Sequence, residues 1–345
     1  MLPLLPNRNK KSRARRKMIH VEGPPSSGAT MLGKRLAADL HFRYEQQVPK
    51  GESLQELLTR ELTTSPQTVV VHGYQTLHAC ARAIASSKYR QPLERWETRL
   101  LDRAALSQSA ILIYTTAKPE EIAALADPKE KRDDFTRLIC ANHQQLLDGY
   151  NQAVSWSTLP RQIVDGPRLL EDQYRKLLEW IRRELQRQQA TMLHHQQHHS
   201  SGRIDRPVLA IVGDRYPEQG NDTRDQPGAR AYLRATGASW TLHKALHAAE
   251  LEDAYICNWY RSGDEVADLF TLRREMETIN PEHIIALGTA AGRALRKLRI
   301  PHTEIGAPSH QKKYNAGAFS CLIKRMKEAA SSAPAWPPVH LLTDL

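Results

Sequence analysis

The sequence predicts an α/β protein of two domains, each a mainly parallel sheet covered by helices on both faces in three layers. Three observations lead there. Short apolar, β-branched runs alternate with segments whose apolar residues recur at helical spacing. The alternation stops once, across residues 190–206, and then begins again. The length, 345 residues, suits two domains of ordinary size.

In chain order, Met18–Glu22 reads as a short buried strand and Gly23–Gly28 as a loop of glycine, proline and serine. A helix follows from Thr30 to Leu40, with Met31, Leu32, Leu36, Ala37 and Leu40 on one face. Residues 53–62 suggest another helix, and Val69-Val70-Val71 a buried strand. Helical patterns cover 75–86 and 93–107, and Ala110–Tyr114 is a third strand. Residues 133–153 and 170–189 read as long helices. The His- and Gln-rich segment 190–206, with His194, His195, His198 and His199, reads as an interdomain linker. The second pattern has strands at Pro207–Val212, Ala254–Asn258 and His283–Leu287. Its helices are expected at 229–236, 241–248, 264–278, 289–298 and 317–330. These patterns give a basic tail at 1–17, domains at 18–189 and 207–330, and a proline-rich end at 331–345.

Composition narrows the function classes. The chain is 40% hydrophobic and 25% charged, enough apolar residue for packed cores. No apolar run approaches the ~18 residues of a membrane helix, and no apolar segment of a secretory signal follows the basic start. Cys80, Cys140, Cys257 and Cys321 are widely spaced and form no CxxC, which suits a reducing cytoplasm. The net charge of +11 invites a nucleic-acid reading, but its distribution is uneven. Residues 1–17 hold seven basic residues and no acid, while 18–188 and 189–345 carry +2 each. The tail reads either as a phosphate-binding arm or as a leader before a start at Met18.

The clearest motif is Gly23-Pro-Pro-Ser-Ser-Gly28-Ala29-Thr30, between a strand and a helix. That is the setting of the phosphate loop G-x-x-x-x-G-K-[ST], whose glycines and helix N-terminus present backbone N–H groups to phosphate. Thr30 would hold Mg²⁺ through its hydroxyl, but the lysine position is Ala29. Lys34 and Arg35, one helical turn on, could reach back. A lysine at that position neutralises charge as the phosphoryl group transfers, so its loss weakens kinase chemistry more than fold.

The run from His20 to Thr30 resembles the start of thymidylate kinases and related phage deoxynucleotide kinases, and a weaker likeness extends to about residue 188. The resemblance implies ATP and Mg²⁺ as cofactors. It implies a nucleotide-binding set of Gly23, Ser26, Ser27, Gly28, Thr30, Lys34 and Arg132, with Thr30 on the metal and Lys129–Asp134 in the place of a basic lid. Arg90 and Arg99, with Tyr89, stand where that family holds the acceptor monophosphate and base. Ile111–Glu120 is similar to its "L-x-V-P-P-E" strand and turn. Where the family's second strand ends in Asp-Arg, Val71 is followed here by His72-Gly73-Tyr74. The first domain therefore reads either as a divergent kinase or as a pseudokinase that keeps the fold.

The second domain carries Val208–Asp214, Tyr255–Asn258, Pro281–Ala290 and Gly306–His310 in order. Strand ends in an open α/β sheet converge on one crevice. This order resembles the uracil-DNA glycosylase superfamily, most specifically at "INPEHIIALGTAAGRAL". By that resemblance Asn258 reads a flipped pyrimidine, and Pro308 and Ser309 grip DNA phosphates. Asp214 or Glu218 would act near the sugar, and His310 would stand in for a loop histidine displaced from Ala307. The extra cysteines of iron–sulfur members are missing, so no cluster is expected.

Together the two resemblances imply a phage-type protein of DNA pyrimidine modification or nucleotide metabolism, placed in the host cytoplasm, with nucleotide and DNA as partners. Its kinase-like half would act on thymidylate or on 5-hydroxymethyluracil in DNA. The alternatives are a catalytically decayed DNA-binding scaffold and a glycosylase with a regulatory pseudokinase half.

Overall fold

The protein, seen in a computed structural model, is described at residues 17–47, 52–84, 91–127, 132–198, 200–204, 207–215, 237–260, 264–306 and 316–332. It is α/β throughout, and every strand pair in its two sheets is parallel. The chain divides into two compact units, residues 1–193 and 194–345.

The first unit begins β1 (Met18–Glu22), α1 (Ala29–Leu40), β2 (Arg43–Gln46), α2 (Leu54–Thr63), β3 (Thr68–Val71) and α3 (Tyr74–Ala83). It continues α4 (Arg95–Leu106), β4 (Ala110–Thr115), α5 (Pro119–Ala124), α6 (Asp134–Ala141), α7 (His143–Trp156), β5 (Arg161–Val164) and α8 (Glu171–His198). The sheet order is β2-β3-β1-β4-β5. Strand side chains alternate between faces, and the core follows that period. Ile19, Val21, Val69, Val71, Ile111 and Ile113 pack against Leu32 and Leu36 of α1 and Tyr174, Leu177 and Ile181 of α8. Met18, Val70, Leu112 and Tyr114 face the other way, onto Cys80 of α3, Cys140 of α6 and Leu146 and Tyr150 of α7.

The second unit contains β6 (Leu209–Arg215), α9 (Gly237–Ala248), β7 (Tyr255–Tyr260), α10 (Glu265–Ile279), β8 (His283–Leu287), α11 (Thr289–Lys297), β9 (Thr303–Ile305) and α12 (Ala316–Ser332). Its order is β7-β6-β8-β9. Leu209, Ile211, Ile256 and Ile285 meet α9 and α12, while Ala210, Val212, Cys257 and Ile284 meet α10 and α11.

Three strands appear that the pattern did not predict. β2, β5 and β9 all lie at sheet edges. Their sequences, RYEQ, RQIV and TEI, lack the apolar run of a strand buried on both faces, because an edge strand is half solvated. The helix predicted over 133–153 divides at Asn142, whose side-chain amide donates to the Leu138 carbonyl at 3.1 Å.

The segment 190–206, read from composition as a linker, is helical as far as His198. It contains no glycine or proline before Gly202, so a helix already nucleated upstream adds a bond at each residue. Ser201 then pairs with Ile256 in an antiparallel bridge, N–H to O at 2.8 Å in both directions. The helix predicted at 229–236 lies outside the described residues.

Candidate functional site

In the first sheet, the connection from β1 runs to β2 on one side and that from β4 runs to β5 on the other. Their carboxyl ends therefore flank a topological switch point, the place where α/β sheets bind ligands. The Gly23–Gly28 loop leaves β1 there.

The loop is pinned from below. Tyr150 Oη donates to the Gly23 carbonyl at 2.8 Å, and Thr115 Oγ1 to the Glu22 carbonyl at 3.2 Å. Ser27 turns inward, its hydroxyl 2.6 Å from Thr115 Oγ1, while its N–H bonds the Pro24 carbonyl at 3.1 Å. The turn after β5 closes on the other side, where a Cβ on Gly166 would lie 2.1 Å from the Ser27 carbonyl oxygen. Ser26 is exposed, with φ of 67°. Gly28, at φ of 75°, is the N-cap of α1, and no side chain caps that helix. A helix start leaves its first-turn N–H groups without intrahelical partners. Ala29, in the lysine position, is buried in the apolar cluster of β1, β3 and α1.

Thr30 meets His72 at the carboxyl end of β3, its Oγ1 3.2 Å from Nε2. His72 has φ of 62°, a left-handed backbone uncommon outside glycine. Burial holds its pKa down at about 4, so the ring is neutral near pH 7. Lys34 is exposed, its ammonium 5.8 Å from the centroid of the Tyr44 ring. Arg35 does not reach back to the loop. It donates to Glu171 on α8 at 2.6 Å and stacks 3.6 Å above the Tyr174 ring.

Beneath the loop lies a buried polar network that the sequence reading missed. Glu22 accepts from the Gly73 N–H at 2.7 Å, the Thr76 N–H at 3.2 Å and the Thr76 hydroxyl at 2.5 Å, so its carboxylate meets the positive end of α3. His20 Nε2 stands 3.2 Å from Glu61 Oε2, and its Nδ1 lies 3.9 Å from Glu22 Oε1. Burial alone pushes His20 down, but the carboxylates of Glu61 and Glu22 more than reverse this and raise its pKa. Burial raises Glu22 and Asp102. Asp102 accepts from the Tyr74 hydroxyl at 2.5 Å, from Ser157 at 3.1 Å and from the Thr158 N–H. Glu22 and His20 were read only as strand residues, although a charge inside an otherwise apolar strand is the signal that could have found them.

The other expected residues separate into three groups. Arg132 is exposed beside Asp133, which caps α6, and Arg99 is half-buried on α4. Asp214 and Asn258 lie at the carboxyl ends of neighbouring strands, with Asn258 in register with Gly213 and buried. Gly288 ends β8 at φ of 92°, its N–H bonded to the Ile305 carbonyl at 2.8 Å. Arg90, Glu218, Pro308, Ser309 and His310 lie outside the described residues.

Magnesium is usually held through one or two carboxylates together with the phosphates. Thr30 is the one expected ligand, and its hydroxyl oxygen lies 3.2 Å from an imidazole nitrogen of His72. Among the described residues no group of three or more His, Cys, Asp and Glu is disposed to hold a metal ion. Among the described residues no helix is long and apolar enough to cross a membrane.

No family model matches this chain, and no curated protein sequence does. Among solved structures it is similar to YorR protein from Bacillus subtilis, crystallised in complex with phosphorylated GDP. The identity is 15% and the TM-score 0.38, over 48% of this chain and 94% of that one.

Proposed function

We propose that the first unit is a nucleotide-binding module of divergent kinase type, which holds the phosphate of a nucleotide at the Gly23–Gly28 loop. The observation that carries this reading is the loop's position and shape. It leaves β1 at the switch point, and a left-handed Gly28 opens α1 with uncapped first-turn N–H groups. Binding is favoured over fast phosphoryl transfer, because Ala29 is buried where a lysine would neutralise developing charge. Losing one such preorganised group typically costs 10²–10³ in kcat.

The test is incubation of the full chain with γ-labelled ATP and Mg²⁺, with thymidylate, plain DNA or 5-hydroxymethyluracil DNA as acceptor, alongside equilibrium nucleotide binding. The expected result is binding with little or no label transfer. Rapid transfer to any acceptor would make the chain a kinase of thymidylate or of DNA. No nucleotide binding at all would sink the reading.

A second reading concerns the second unit, which would recognise a pyrimidine in DNA. It rests on the register that sets Asp214 and Asn258 at adjacent strand ends. An amide both donates and accepts, as the edge of a pyrimidine requires. Asn258→Ala is expected to lower affinity for uracil-containing DNA with little change for undamaged DNA. Equal loss for both would make Asn258 structural. Abasic sites in the uracil DNA would show a glycosylase.

A further inference from the structure

We propose that β5 is a self-association edge, where a second copy of this chain pairs antiparallel about a two-fold axis at Ile163 and joins the two five-stranded sheets into one.

β5 ends its sheet, and among the described residues no strand pairs with its outer side. Its pairing with β4 fixes which backbone groups are left over. The Leu112 N–H bonds the Pro160 carbonyl at 2.9 Å, and the Thr116 N–H bonds the Val164 carbonyl at 2.9 Å. In a parallel ladder the bonded groups of one strand belong to alternate residues, so Gln162 and Val164 turn theirs towards β4. Arg161 and Ile163 turn theirs outward. Native sheets blunt such an edge with lysine, proline or a bulge. Arg161–Val164 contains no lysine or proline, and its register with β4 runs without a bulge. Ile163 is instead a β-branched apolar residue left 54% exposed.

The pattern of side chains names the occupant. A two-fold axis between antiparallel strands sets a central residue against itself, and a hydrogen-bonded pair there needs both of its backbone groups outward. Ile163 meets that requirement. Centred on it, Ile163 lies against the partner's Ile163, and at each end Arg161 lies against the partner's Asp165. Moving the centre to Arg161 or to Asp165 would oppose like charges, which destabilises a cross-strand pair. Both charged side chains are available. Arg161 gives one nitrogen to the Ser157 carbonyl at 3.1 Å, and a guanidinium has donors to spare. Asp165 is half exposed, with Arg168 of its own chain 3.8 Å away.

The same edge carries space that a neighbouring strand would fill. A groove of about 360 Å³ lies between Gln162 and Val164 of β5 and Leu169, Leu177 and Trp180 of α8. Val164 packs on the α8 side of the sheet, and Gln162 shares that face. In the proposed register Gln162 stands beside the partner's Val164, so each copy's strand lines the other's groove. An isologous contact of this kind closes on itself and builds no fibre.

The experiment is sedimentation velocity of the full chain over a concentration series, with hydrogen exchange followed at the Ile163 amide. The expected result is a concentration-dependent dimer, and an Ile163 N–H whose protection rises with it. Ile163→Lys sets like charges on the axis and is expected to sediment as a monomer. Arg161→Asp and Asp165→Arg are each expected to weaken the dimer at least about tenfold, and the two together to regain most of the loss. That recovery also shows that the single variants lose pairing and not fold. A monomer at every concentration would overturn the proposal, whether the amide exchanges freely or is covered by another segment of the same chain. A dimer that survives Ile163→Lys would place the contact elsewhere and overturn it too. Single charge variants that leave the dimer unchanged would overturn the register on which it rests.

Discussion

Two residues show how closely the loop and its surroundings are built. Gly23 has no room for a side chain, since a Cβ there would lie 2.1 Å from Thr115 Oγ1 and 2.4 Å from Ser27 Oγ. Both hydroxyls are buried and bonded to each other, so neither can swing away at no cost. Gly23→Ala is expected to destabilise the chain by about 1–3 kcal/mol, measured as a shift in the urea midpoint. His78 on α3 is buried, with Nε2 3.1 Å from Gln152 Oε1 on α7, and burial holds its pKa down at about 4 against an ordinary 6.5. Between those values the unfolded chain binds a proton that the folded chain does not. Stability from this residue is therefore full above pH 6.5, falls as pH drops towards 4, and levels off below. His78→Gln is expected to flatten that limb by on the order of 2–3 kcal/mol between pH 7 and 4. An unchanged slope would mean that His78 takes up its proton in the folded state.

At the scale of elements, helix ends carry the testable chemistry. Ser53 caps α2, accepting from the Glu56 N–H at 3.3 Å while the Glu56 carboxylate accepts from the Ser53 N–H at 2.6 Å. This reciprocal box satisfies two donors that the helix start would otherwise leave open. Ser53→Ala is expected to cost about 1 kcal/mol in chemical unfolding, and Ser53→Asp much less. The same α2 delivers Glu61 to His20, so fraying its start also loosens the network under the loop. At α3 the cap comes from another element, because Glu22 of β1 supplies the carboxylate for Gly73 and Thr76. No local sequence pattern marks such a cap, since its two halves are 51 and 54 residues apart.

For the whole molecule, the distribution of charge matters more than the total of +11. Seven units belong to residues 1–17, and the two halves that follow carry +2 each. Each phosphate neutralised on duplex DNA contributes about −0.9 to the slope of log affinity against log salt. If residues 1–17 contact duplex DNA, a chain starting at Met18 is expected to show a slope shallower by up to about 6 for non-specific DNA, while the nucleotide binding proposed for the Gly23–Gly28 loop stays unchanged. A slope that does not move would place the DNA contacts elsewhere in the chain.

The strands buried on both faces were legible, because Ile19, Val69, Val70 and Ile111 sit in continuous apolar runs that only a covered parallel sheet accommodates. The glycine–proline–serine loop between β1 and α1 was equally legible, since its signals are local: a strand, small residues, then a helical period. The edge strands were not, because β2 and β5 take their pairing from neighbours rather than from their own hydrophobicity. Nor was the end of α8, where polar Gln and His residues continue a helix begun by an apolar face further back. The Thr30–His72 pair, 42 residues apart, and the His20–Glu61 pair exist only once β1, β3 and α2 have packed. The sequence by itself determined the layered α/β class and the glycine–proline–serine loop between β1 and α1. Tertiary packing alone decided which side chain meets the Thr30 hydroxyl, because that depends on strand register and not on neighbours along the chain.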